Sequence, residues 1–439
     1  MKVLKFGGSS VGSAHRMKSV AGLIDDGERK VVVLSAMSGT TNSLVEIANY
    51  YSIGNAEGAS DIIGVLESKY SKHVSELYDT QEYADKARLV LSDVFSFLRS
   101  FAGKHFGVAE EKEVLAQGEI MSTNMFAYYL QEQGKDVELL PALNFMRLDP
   151  SGEPDLAYIS DHIGDMLEQK QAYLYITQGF ICRNSSGDVD NLQRGGSDYT
   201  ASLIGAAIGA EEIQIWTDID GMHNNDPRIV DHTSAVRHIH FEEASELAYF
   251  GAKVLHPTCI LPAKNADIPV RILNTMQPDA EGTLINNELE EGLIKAVAAK
   301  DNITAIGIKS SRMLMTYGFL RRVFEIFERY KTSIDMICTS EVGVSVSVDN
   351  TAHLNEIIHE LKKYGTVSVD LDMCIICVVG DMNWENVGFE TRAMEAMKSV
   401  PVRMISYGGS NYNISFLVRG EDKNRALRAL SDNLFNTEN

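Results

Sequence analysis

The stretch that indicates the fold most clearly is MKVLKFGGSSVG at residues 1–12. Residues 2–6 have the composition of a buried strand, glycines follow at once, and a helical pattern begins at residue 14. Glycines after a strand let the backbone approach an anion closely, and the helix N-terminus adds inward-facing N–H groups. The stretch matches neither GxxxxGKS/T nor GxGxxG, and a strand-to-helix turn often needs glycine anyway. Lys5 favours a phosphate site, because a lysine ending an interior strand is costly without an anion or carboxylate.

Strand-like and helix-like segments alternate over the first 290 or so residues. Strands are predicted at 2–6, 30–35, 136–140, 173–177, 212–218 and 269–273. Helices are predicted at 14–26, 42–50, 109–133, 198–208 and 242–250. Some of the strands are apolar on both faces, which is typical of a largely parallel sheet. The alternation predicts an α/β layered domain, and 54–104 is interpreted as a helical excursion from its sheet.

After residue 300 the predicted strands become paired and closely spaced. A βαββαβ pattern covers 312–371, and a divergent second copy begins at residue 374. Gly318-Phe319 recurs as Gly388-Phe389. The second copy lacks a last strand, and a strand predicted at 303–308 precedes the first copy. We therefore predict that this strand completes the second copy, with the first copy inserted in it. An accidental repeat is the alternative, because βαββαβ patterns are common.

Charge and composition exclude several classes of protein. The 439 residues include 40 Lys plus Arg against 61 Asp plus Glu, a formal net charge of −21. Such a chain is a poor general binder of nucleic acid or anionic membrane, and an anionic substrate needs a local cationic pocket. No apolar run reaches the roughly 18–20 residues that a membrane span needs. Five cysteines are too sparse for a disulfide framework, so we expect a reducing cytoplasm.

Further stretches place polar residues at the ends of predicted strands, at the start or end of predicted helices or, for QGEIMS, within one. They are SAMSGTTN at 35–42, QGEIMS at 117–122, QRGGSDYT at 193–200, WTD at 216–218, GMHNNDPR at 221–228 and FGAKVLHP at 250–257. Ser197 and Asp198 are explained as a helix N-cap and a first-turn acid. Helix capping does not explain Arg194, whose planar guanidinium suits a carboxylate or a phosphate. Glu119 points inward or is solvated at the edge of its helical face, and the pattern leaves both interpretations open.

The sequence predicts no metal site built from protein side chains. His232, His238 and His240 form a loose cluster whose spacing does not favour a metal. Cys374 and Cys377 lie three apart in an apolar run, which places their thiols on opposite faces of a strand. We interpret both groups as ordinary loop and buried strand residues.

In combination these motifs resemble the aspartate kinases (aspartokinases), of the amino-acid kinase superfamily with C-terminal ACT domains. The matching stretches, in family order, are KFGGSSVG, VVVLSAMSGTTN, QGEIMST, ITQGFI, LQRGGSDYTA, IWTDIDG, NDPR, FGAKVLHP and TSEVGVSVSVD. Nine motifs in register over nearly the whole chain are highly specific. Some family members continue into a homoserine dehydrogenase, whereas this sequence ends at Asn439 and is expected to be of the monofunctional, lysine-sensitive type.

The resemblance implies a three-layer αβα kinase domain with a mostly parallel sheet, plus two C-terminal βαββαβ ACT units. We assign 1–295 to the kinase domain, 312–371 to an inserted first ACT unit, and 296–311 with 372–439 to the second. Because ACT units pair across a dimer in the family, a homodimer or higher homo-oligomer is expected. The implied ligands are L-aspartate, ATP and an amino-acid effector. No nucleic-acid or membrane partner is expected, and the expected location is cytoplasmic.

The implied reaction moves the γ-phosphoryl group of ATP to the β-carboxylate of L-aspartate, giving 4-phospho-L-aspartate. In the family this is the first step of lysine, threonine and methionine biosynthesis. A free aspartate carboxyl has a pKa of about 3.9, so the nucleophile is already ionised and needs no general base. Catalysis then consists of positioning and charge neutralisation. Mg²⁺ is expected to be held mainly by ATP phosphates and water.

The resemblance also implies roles for single residues. Lys5 and Asp198 are expected to be catalytic, with Lys5 neutralising charge on the transferred group and Asp198 holding Lys5. The residues expected to bind the nucleotide are Lys5, Gly7, Gly8, Ser9, Thr217, Asp218, His223, Arg228, Lys253 and Val254. The residues expected to line the aspartate pocket are Ser35, Thr41, Glu119, Arg194, Gly196 and Ser197. Arg194 would grip the α-carboxylate and Glu119 the ammonium. Two positions depart from the family pattern: many relatives carry Tyr at His223, and Gly is common at Cys182.

Feedback inhibition is implied at the first ACT unit, most simply by L-lysine. The expected effector-binding residues are Met313, Thr316, Gly318, Phe319, Leu320, Ser333, Ile334, Asp335, Thr339, Ser340 and Glu341. Asp335 and Glu341 suit an ammonium group, and the helix N-terminus near Gly318 suits a carboxylate. The alternative is that the two acids are solvated loop residues.

Two other functions remain open. One is another amino-acid kinase such as a glutamate kinase, which the ACT repeat and the QGEIMST and RGGSDYTA motifs disfavour. The other is a non-catalytic amino-acid sensor, which the intact Lys5, Glu119, Arg194 and Asp198 disfavour. An assay with aspartate and glutamate side by side separates the first alternative, and nucleotide binding without turnover would favour the second.

Overall fold

A computed structural model of the chain describes residues 1–192, 195–251, 255–310 and 317–435. The chain divides into two compact units, one formed by 1–222 with 255–287 and the other by 223–254 with 288–439. Five predicted site residues lie outside the described residues: Arg194, Lys253, Val254, Met313 and Thr316.

The first unit alternates strands and helices, numbered here in chain order. Its strands are β1 (Lys2–Phe6), β2 (Lys30–Leu34), β3 (Val137–Leu140), β4 (Leu174–Gln178), β5 (Ile181–Arg183), β6 (Val189–Asn191), β7 (Ile213–Thr217), β9 (Val270–Asn274) and β10 (Thr283–Asn286). Its helices are α1 (Ala14–Ile24), α2 (Thr40–Ser52), α3 (Ala56–Leu77), α4 (Gln81–Arg99), α5 (Val108–Glu132), α6 (Leu156–Gln169), α7 (Gly196–Ile208) and α9 (Leu261–Asn265). The helical excursion predicted at 54–104 corresponds to α3 and α4.

Seven strands of the first unit lie side by side in the order β3-β4-β2-β1-β7-β9-β10. Neighbouring pairs are parallel, except that β10 runs antiparallel to β9. The prediction of a mostly parallel sheet is confirmed. The composition of strand β2 explains its interior position: all five of its residues are buried and three are valines. Stiff β-branched side chains on both faces of a strand are typical of a sheet covered on both sides.

The strand order determines where a ligand can bind. Chain order reverses at β1, which pairs with β2 on one side and with β7 on the other. The carboxyl ends of β1, β2, β4, β7 and β9 share one edge of the sheet, because these strands are parallel. Open α/β sheets bind ligands outside this edge, at the point of reversal.

One apolar core joins the sheet to helices α1 to α5. Met17, Ile47, Tyr70, Phe95 and Phe126 come from these five helices in turn, and each has at most 1% of its surface exposed. Burying a large apolar side chain contributes roughly 1.5–3 kcal/mol. The excursion formed by α3 and α4 is therefore part of the folded core.

Four described elements of the first unit were not predicted from the sequence: α6, the β5–β6 hairpin, α9 and β10. Helix α6 follows Asp155, whose side chain accepts a hydrogen bond from the Tyr158 N–H at 3.1 Å. This N-cap was a readable signal. Strands β5 and β6 have only three residues each, which is too short for a hydrophobic period to reveal.

The second unit begins with β8 (His238–His240) and α8 (Phe241–Tyr249). Its later strands are β11 (Ile294–Lys309), β12 (Ile337–Ser340), β13 (Gly343–Val348), β14 (Thr366–Gly380), β15 (Met404–Tyr407) and β16 (Asn413–Arg419). Its later helices are α10 (Phe319–Arg329), α11 (Leu354–Leu361), α12 (Phe389–Ala396) and α13 (Lys423–Leu434). Across the described ranges of both units, no helix has the length and apolar character needed to cross a membrane.

Six strands of the second unit form an antiparallel sheet in the order β12-β13-β11-β14-β16-β15. Residues 304–309 of β11 pair with β13, and residues 294–300 pair with the last part of β14. The prediction that the strand at 303–308 completes the second copy is therefore wrong. Strand β11 continues through a register shift between Lys300 and Ile303, so its first half serves the second copy and its second half the first. The domain boundaries themselves stay a prediction.

Each half of this sheet has its own apolar core. Ile306 and Val323 lie in the core of the first half, whereas Ile376 and Leu427 lie in the core of the second half. Cys374 and Cys377 are buried in β14 as free thiols, consistent with their interpretation as strand residues. The repeated sequence pattern thus corresponds to two packed halves of one sheet.

Candidate active site

The turns that follow β1 and β2 meet at the carboxyl edge of the sheet. A Cβ atom on Gly8 would lie 2.6 Å from the Ala36 carbonyl oxygen, so a larger residue at this position requires the backbone to move. The Ser38 N–H donates to the Gly8 carbonyl at 3.1 Å. On the other side of β1, the Gly7 N–H donates to the carbonyl of Trp216 in β7 at 3.3 Å. Glycine at position 8 therefore lets the turns after β1 and β2 pack closely, and the Gly7 hydrogen bond joins them to the end of β7.

A partly buried ion pair lies beside these turns. The Lys5 Nζ atom is 2.7 Å from Asp198 Oδ1, and the two side chains are only 12% and 16% exposed. Lys5 comes from the central strand β1, and Asp198 lies in the first turn of α7. The contact between these two predicted catalytic residues is present, and their roles in catalysis stay a prediction.

Helix α7 begins at this edge with Gly196 and Ser197, both predicted to line the aspartate pocket. Its start is fixed to the segment after β4, because the Phe180 N–H donates to Thr200 Oγ1 at 3.0 Å. The N-terminus of a helix favours a negative charge, since its first N–H groups lack intrahelical partners. This arrangement suits an anionic substrate.

Glu119 points inward, which settles the question that the helical pattern left open. It is only 5% exposed, and its Oε1 atom accepts a hydrogen bond from the Ala36 N–H at 3.1 Å. The preceding Gly118 permits this contact, since a Cβ atom there would lie 2.8 Å from Ala36 Cβ. Burial raises the pKa of Glu119 to about 8, against the opposing effect of the hydrogen bond from Ala36. A buried carboxyl of this kind readily becomes ionised when a cation binds beside it.

We predict that Glu119 makes the ligand-free protein less stable as the pH rises from about 4.5 to about 8. Its raised pKa means that the folded protein holds the proton more tightly than the unfolded chain does. This stabilising contribution is complete below the unfolded pKa and is lost as the pH rises through the folded pKa. Urea titrations at several pH values in this range measure the free energy of unfolding.

The matched comparison uses Glu119→Gln, which has no titrating carboxyl, and Glu113→Gln on the same helix. The first variant should lose this decline in stability, and the second should keep the wild-type decline. An identical pH dependence in wild type and Glu119→Gln would contradict the prediction.

Several contacts at this edge were not anticipated from the sequence. Ser122, in the QGEIMST motif, donates through Oγ to the Ser35 carbonyl at 2.9 Å. From α3, the Tyr70 hydroxyl and Thr40 Oγ1 are 3.0 Å apart, and Lys69 Nζ donates to the Ser38 carbonyl at 2.6 Å. Ser122 was within a motif and could have been named. The α3 residues carry no local signal, because their contacts depend on how the excursion folds back.

The remaining predicted nucleotide residues are divided between the two units. Thr217 ends β7 and donates through Oγ1 to Asp218 Oδ1 at 3.2 Å, in the first unit. In the second unit, His223 Nδ1 is 2.9 Å from Thr233 Oγ1, and the Arg228 side chain, 81% exposed, pairs with Asp226 at 2.7 Å. These nucleotide assignments stay predictions.

The predicted effector residues that are described lie in the first half of the six-stranded sheet. Gly318 caps α10 with φ of 78°, and Phe319 packs in the core of that half. Thr339 and Ser340 are exposed in β12, and Glu341 is exposed in the next turn. For Asp335 the alternative of a solvated loop acid is wrong, because its side chain is 1% exposed and is bound to Lys300. Its role in binding an effector stays a prediction. Among the residues that the structure describes, no three His, Cys, Asp or Glu side chains are placed to hold a metal ion.

Comparison with known proteins agrees with this architecture. Residues 1–274 match the amino acid kinase family, and residues 376–434 match the ACT domain. The lysine-sensitive aspartokinase 3 of Escherichia coli is 34% identical over 99% of this chain and 99% of its own. The chain belongs to the aspartokinases. The chloroplastic aspartokinase 2 of Arabidopsis thaliana is also 34% identical, over 99% of this chain and 84% of its own.

Solved aspartokinases are similar to this chain in fold as well as in sequence. The chain matches E. coli aspartokinase III in complex with aspartate and ADP with a TM-score of 0.84 and 33% identity, over 99% of this chain and 100% of that one. It matches the complex of the same protein with lysine and aspartate with a TM-score of 0.80 and 33% identity, over 99% of both chains. As a member of the aspartokinase family, the chain is a phosphotransferase enzyme.

Proposed function

We propose that the chain transfers the γ-phosphoryl group of ATP to the β-carboxylate of L-aspartate, giving 4-phospho-L-aspartate. The likeness, over nearly the whole chain, to an aspartokinase solved with aspartate and ADP carries this proposal. The geometry agrees with it, since a cation, a helix N-terminus and a buried carboxyl lie at one edge of a parallel sheet. These groups complement a phosphate, a carboxylate and an ammonium.

In this proposal the chemical step needs charge neutralisation and alignment. The acceptor carboxylate is ionised at neutral pH, so no base has to remove a proton. Lys5 offsets the negative charge that collects on the transferred group, and Asp198 keeps the lysine ammonium in place at 2.7 Å. Mg²⁺ would be held by the ATP phosphates and water and would supply further neutralisation.

Glu119 and Arg194 would select the amino-acid substrate. Glu119 meets the ammonium of aspartate, and Arg194, outside the described residues, meets the α-carboxylate. The buried position of Glu119 supports this role, since an unpaired buried carboxylate is costly and binds a cation strongly. Binding of the ammonium would therefore shift Glu119 to its charged form.

We further propose that the ACT region makes the enzyme responsive to L-lysine. The support is the ACT match at 376–434 and the likeness to an aspartokinase solved with lysine and aspartate. Pairing of two chains through ACT units, giving a homodimer or a larger assembly, is part of the same proposal. A cytoplasmic location is proposed because five cysteines in a chain of 439 residues are too sparse for a disulfide framework.

ATP turnover measured side by side with L-aspartate and L-glutamate tests the proposed activity. The expected result is turnover with aspartate and little with glutamate, and inhibition of that turnover by millimolar L-lysine. Equal turnover with glutamate would point to a different amino-acid kinase. Nucleotide binding without turnover would point to a sensor. If threonine or methionine inhibits and lysine does not, the effector is misassigned while regulation by the ACT region stands.

A further inference from the structure

A buried carboxylate joins helix α8 to the six-stranded sheet. Asp335 Oδ1 accepts two hydrogen bonds, one from Lys300 Nζ at 2.7 Å and one from the Tyr249 hydroxyl at 2.8 Å. The Asp335 side chain is only 1% exposed. Lys300 belongs to β11 and Tyr249 is the last residue of α8, so one carboxylate oxygen ties three parts of the second unit together.

The cluster of Asp335, Asp349 and Lys300 contains two carboxylates and one ammonium group. Lys300 Nζ is also 3.0 Å from Asp349 Oδ2, so two carboxylates share one ammonium. The second oxygen of Asp335, Oδ2, is buried and has no hydrogen-bond partner among the described residues. A buried acceptor without a donor is costly, and a negatively charged cluster attracts a cation. The free oxygen is therefore suited to an incoming ammonium.

Tyr249 is held in place and remains a donor. The Lys300 Nζ atom lies 4.4 Å from the centre of its ring, within the range of a cation–π contact. Tyr249 is 43% exposed, but desolvation of its hydroxyl and the hydrogen bond to Asp335 raise its pKa to about 12, so the hydroxyl keeps its proton in the neutral range. Tyr249 therefore keeps a proton to donate to Asp335 in the neutral range.

The position of Tyr249 in the chain places this contact next to a motif that is predicted to bind the nucleotide. Tyr249 directly precedes the FGAKVLHP motif at 250–257, which contains Lys253 and Val254, both predicted to bind the nucleotide. Asp335 is among the residues predicted to bind the effector. One hydroxyl thus connects the segment that leads into the predicted nucleotide site with the predicted effector carboxylate.

The second copy of the repeat shows that the ACT fold does not require a buried acid here. Arg403 stands at the position that corresponds to Asp335, 68 residues earlier in the chain. Arg403 Nε donates to Asp370 Oδ2 at 3.0 Å, and these side chains are 37% and 45% exposed. The charge is reversed and the pair is partly solvated. The buried Asp335, with its hydroxyl and ammonium partners, is therefore a particular feature of the first half.

We propose that Tyr249 is a positioning residue that couples an amine bound at Asp335 to the affinity of the enzyme for its nucleotide. An ammonium at Oδ2 competes for the negative charge on which the Tyr249 hydrogen bond depends, and the end of α8 is released. The inference rests on the proposed effector site at Asp335. By thermodynamic linkage, a nucleotide must weaken the binding of the amine by the same factor as the amine weakens the nucleotide.

Calorimetric titration of L-lysine into the full chain, with and without saturating ADP, tests the proposal. For the wild type, ADP should raise the lysine Kd by roughly 5-fold or more, the lower end of typical couplings between sites. In Tyr249→Phe the ADP effect should fall below about 2-fold, while the lysine Kd without ADP stays within about 3-fold of wild type. The matched control is Tyr330→Phe, which removes another hydroxyl–carboxylate contact, to Glu360 at 2.9 Å, between the helices that pack on the same half of the sheet. This control should keep the wild-type ADP effect.

The possible contrary results can be told apart. An ADP effect of wild-type size in Tyr249→Phe overturns the coupling role, as does the absence of an ADP effect in the wild type. Loss of lysine binding in Tyr249→Phe would make Tyr249 a binding residue and also overturn it. An equal loss of coupling in Tyr330→Phe would indicate a general disturbance of the sheet. A wild type that binds no lysine overturns the proposed effector and this inference together, while aspartate-dependent turnover would stand unaffected.

Discussion

Replacing Lys5 by alanine is expected to lower kcat by about a hundredfold or more, with a smaller change in KM for aspartate. Lys5 lies at the end of the central strand, 2.7 Å from Asp198, and is 12% exposed. Because Lys5 is shielded from solvent, its charge is expected to stabilise the transferring phosphoryl group more than it stabilises the bound substrates. Steady-state kinetics with both substrates varied measures kcat and KM separately.

The matched control for Lys5→Ala is Lys2→Ala on the same strand. Lys2 lies at the other end of β1 and pairs with Glu28 at 2.9 Å, with both side chains more exposed than the Lys5–Asp198 pair. This variant should keep nearly the wild-type kcat, because exposed ion pairs contribute little. Near-wild-type turnover in Lys5→Ala would remove Lys5 from the mechanism.

Glu119→Gln is expected to weaken aspartate binding strongly and to leave nucleotide binding nearly unchanged. The amide keeps an acceptor for the Ala36 N–H but loses the charge that would meet the substrate ammonium. Losing one partner of a buried charged pair costs about 2–5 kcal/mol, by analogy with pairs at protein interfaces, or roughly 30-fold or more in affinity. Arg194→Ala should have a similar effect, through the α-carboxylate.

Calorimetry of aspartate binding and of ADP binding separates the two substrate sites. Glu113→Gln, also on α5, should leave both affinities unchanged and so controls for the substitution itself. If ADP binding collapses together with aspartate binding in Glu119→Gln, the assignment of Glu119 to the amino-acid pocket is wrong.

The parallel sheet and its glycine-rich turns could be predicted because the information is local. Strand β2 is buried along its whole length and contains the apolar run 31–34, and Gly7 and Gly8 mark the turn after β1. The contact between Lys5 and Asp198 was anticipated from motifs nearly 200 residues apart, through the resemblance to the aspartokinases. Spacing alone would not have revealed it.

The orientation of Glu119 could not be predicted, because it lies at the edge of a helical face. What decides it is a tertiary contact: Gly118 lets α5 approach Ala36, and the Ala36 N–H is then the partner of the Glu119 carboxylate. Helical periodicity describes a single helix and does not tell which backbone it will pack against.

The burial of Asp335 and its two hydrogen-bond partners likewise could not be predicted from the sequence pattern. Its partners Lys300 and Tyr249 are 35 and 86 residues away in the chain. The strand at 303–308 was assigned to the wrong copy for a related reason, since β11 passes through both halves of the sheet as one strand. A change of residue composition along such a strand suggests two separate strands, whereas the backbone hydrogen bonds continue through it.

The proposal that this aspartokinase phosphorylates the β-carboxylate of L-aspartate is tested most directly by trapping the product. Hydroxylamine converts an acyl phosphate to a hydroxamate, so the reaction with ATP and aspartate should yield aspartate β-hydroxamate, with one ADP formed for each hydroxamate. Mass spectrometry identifies the product and its position. ADP formation without any hydroxamate, or an equal yield of hydroxamate from glutamate, would contradict the proposed reaction.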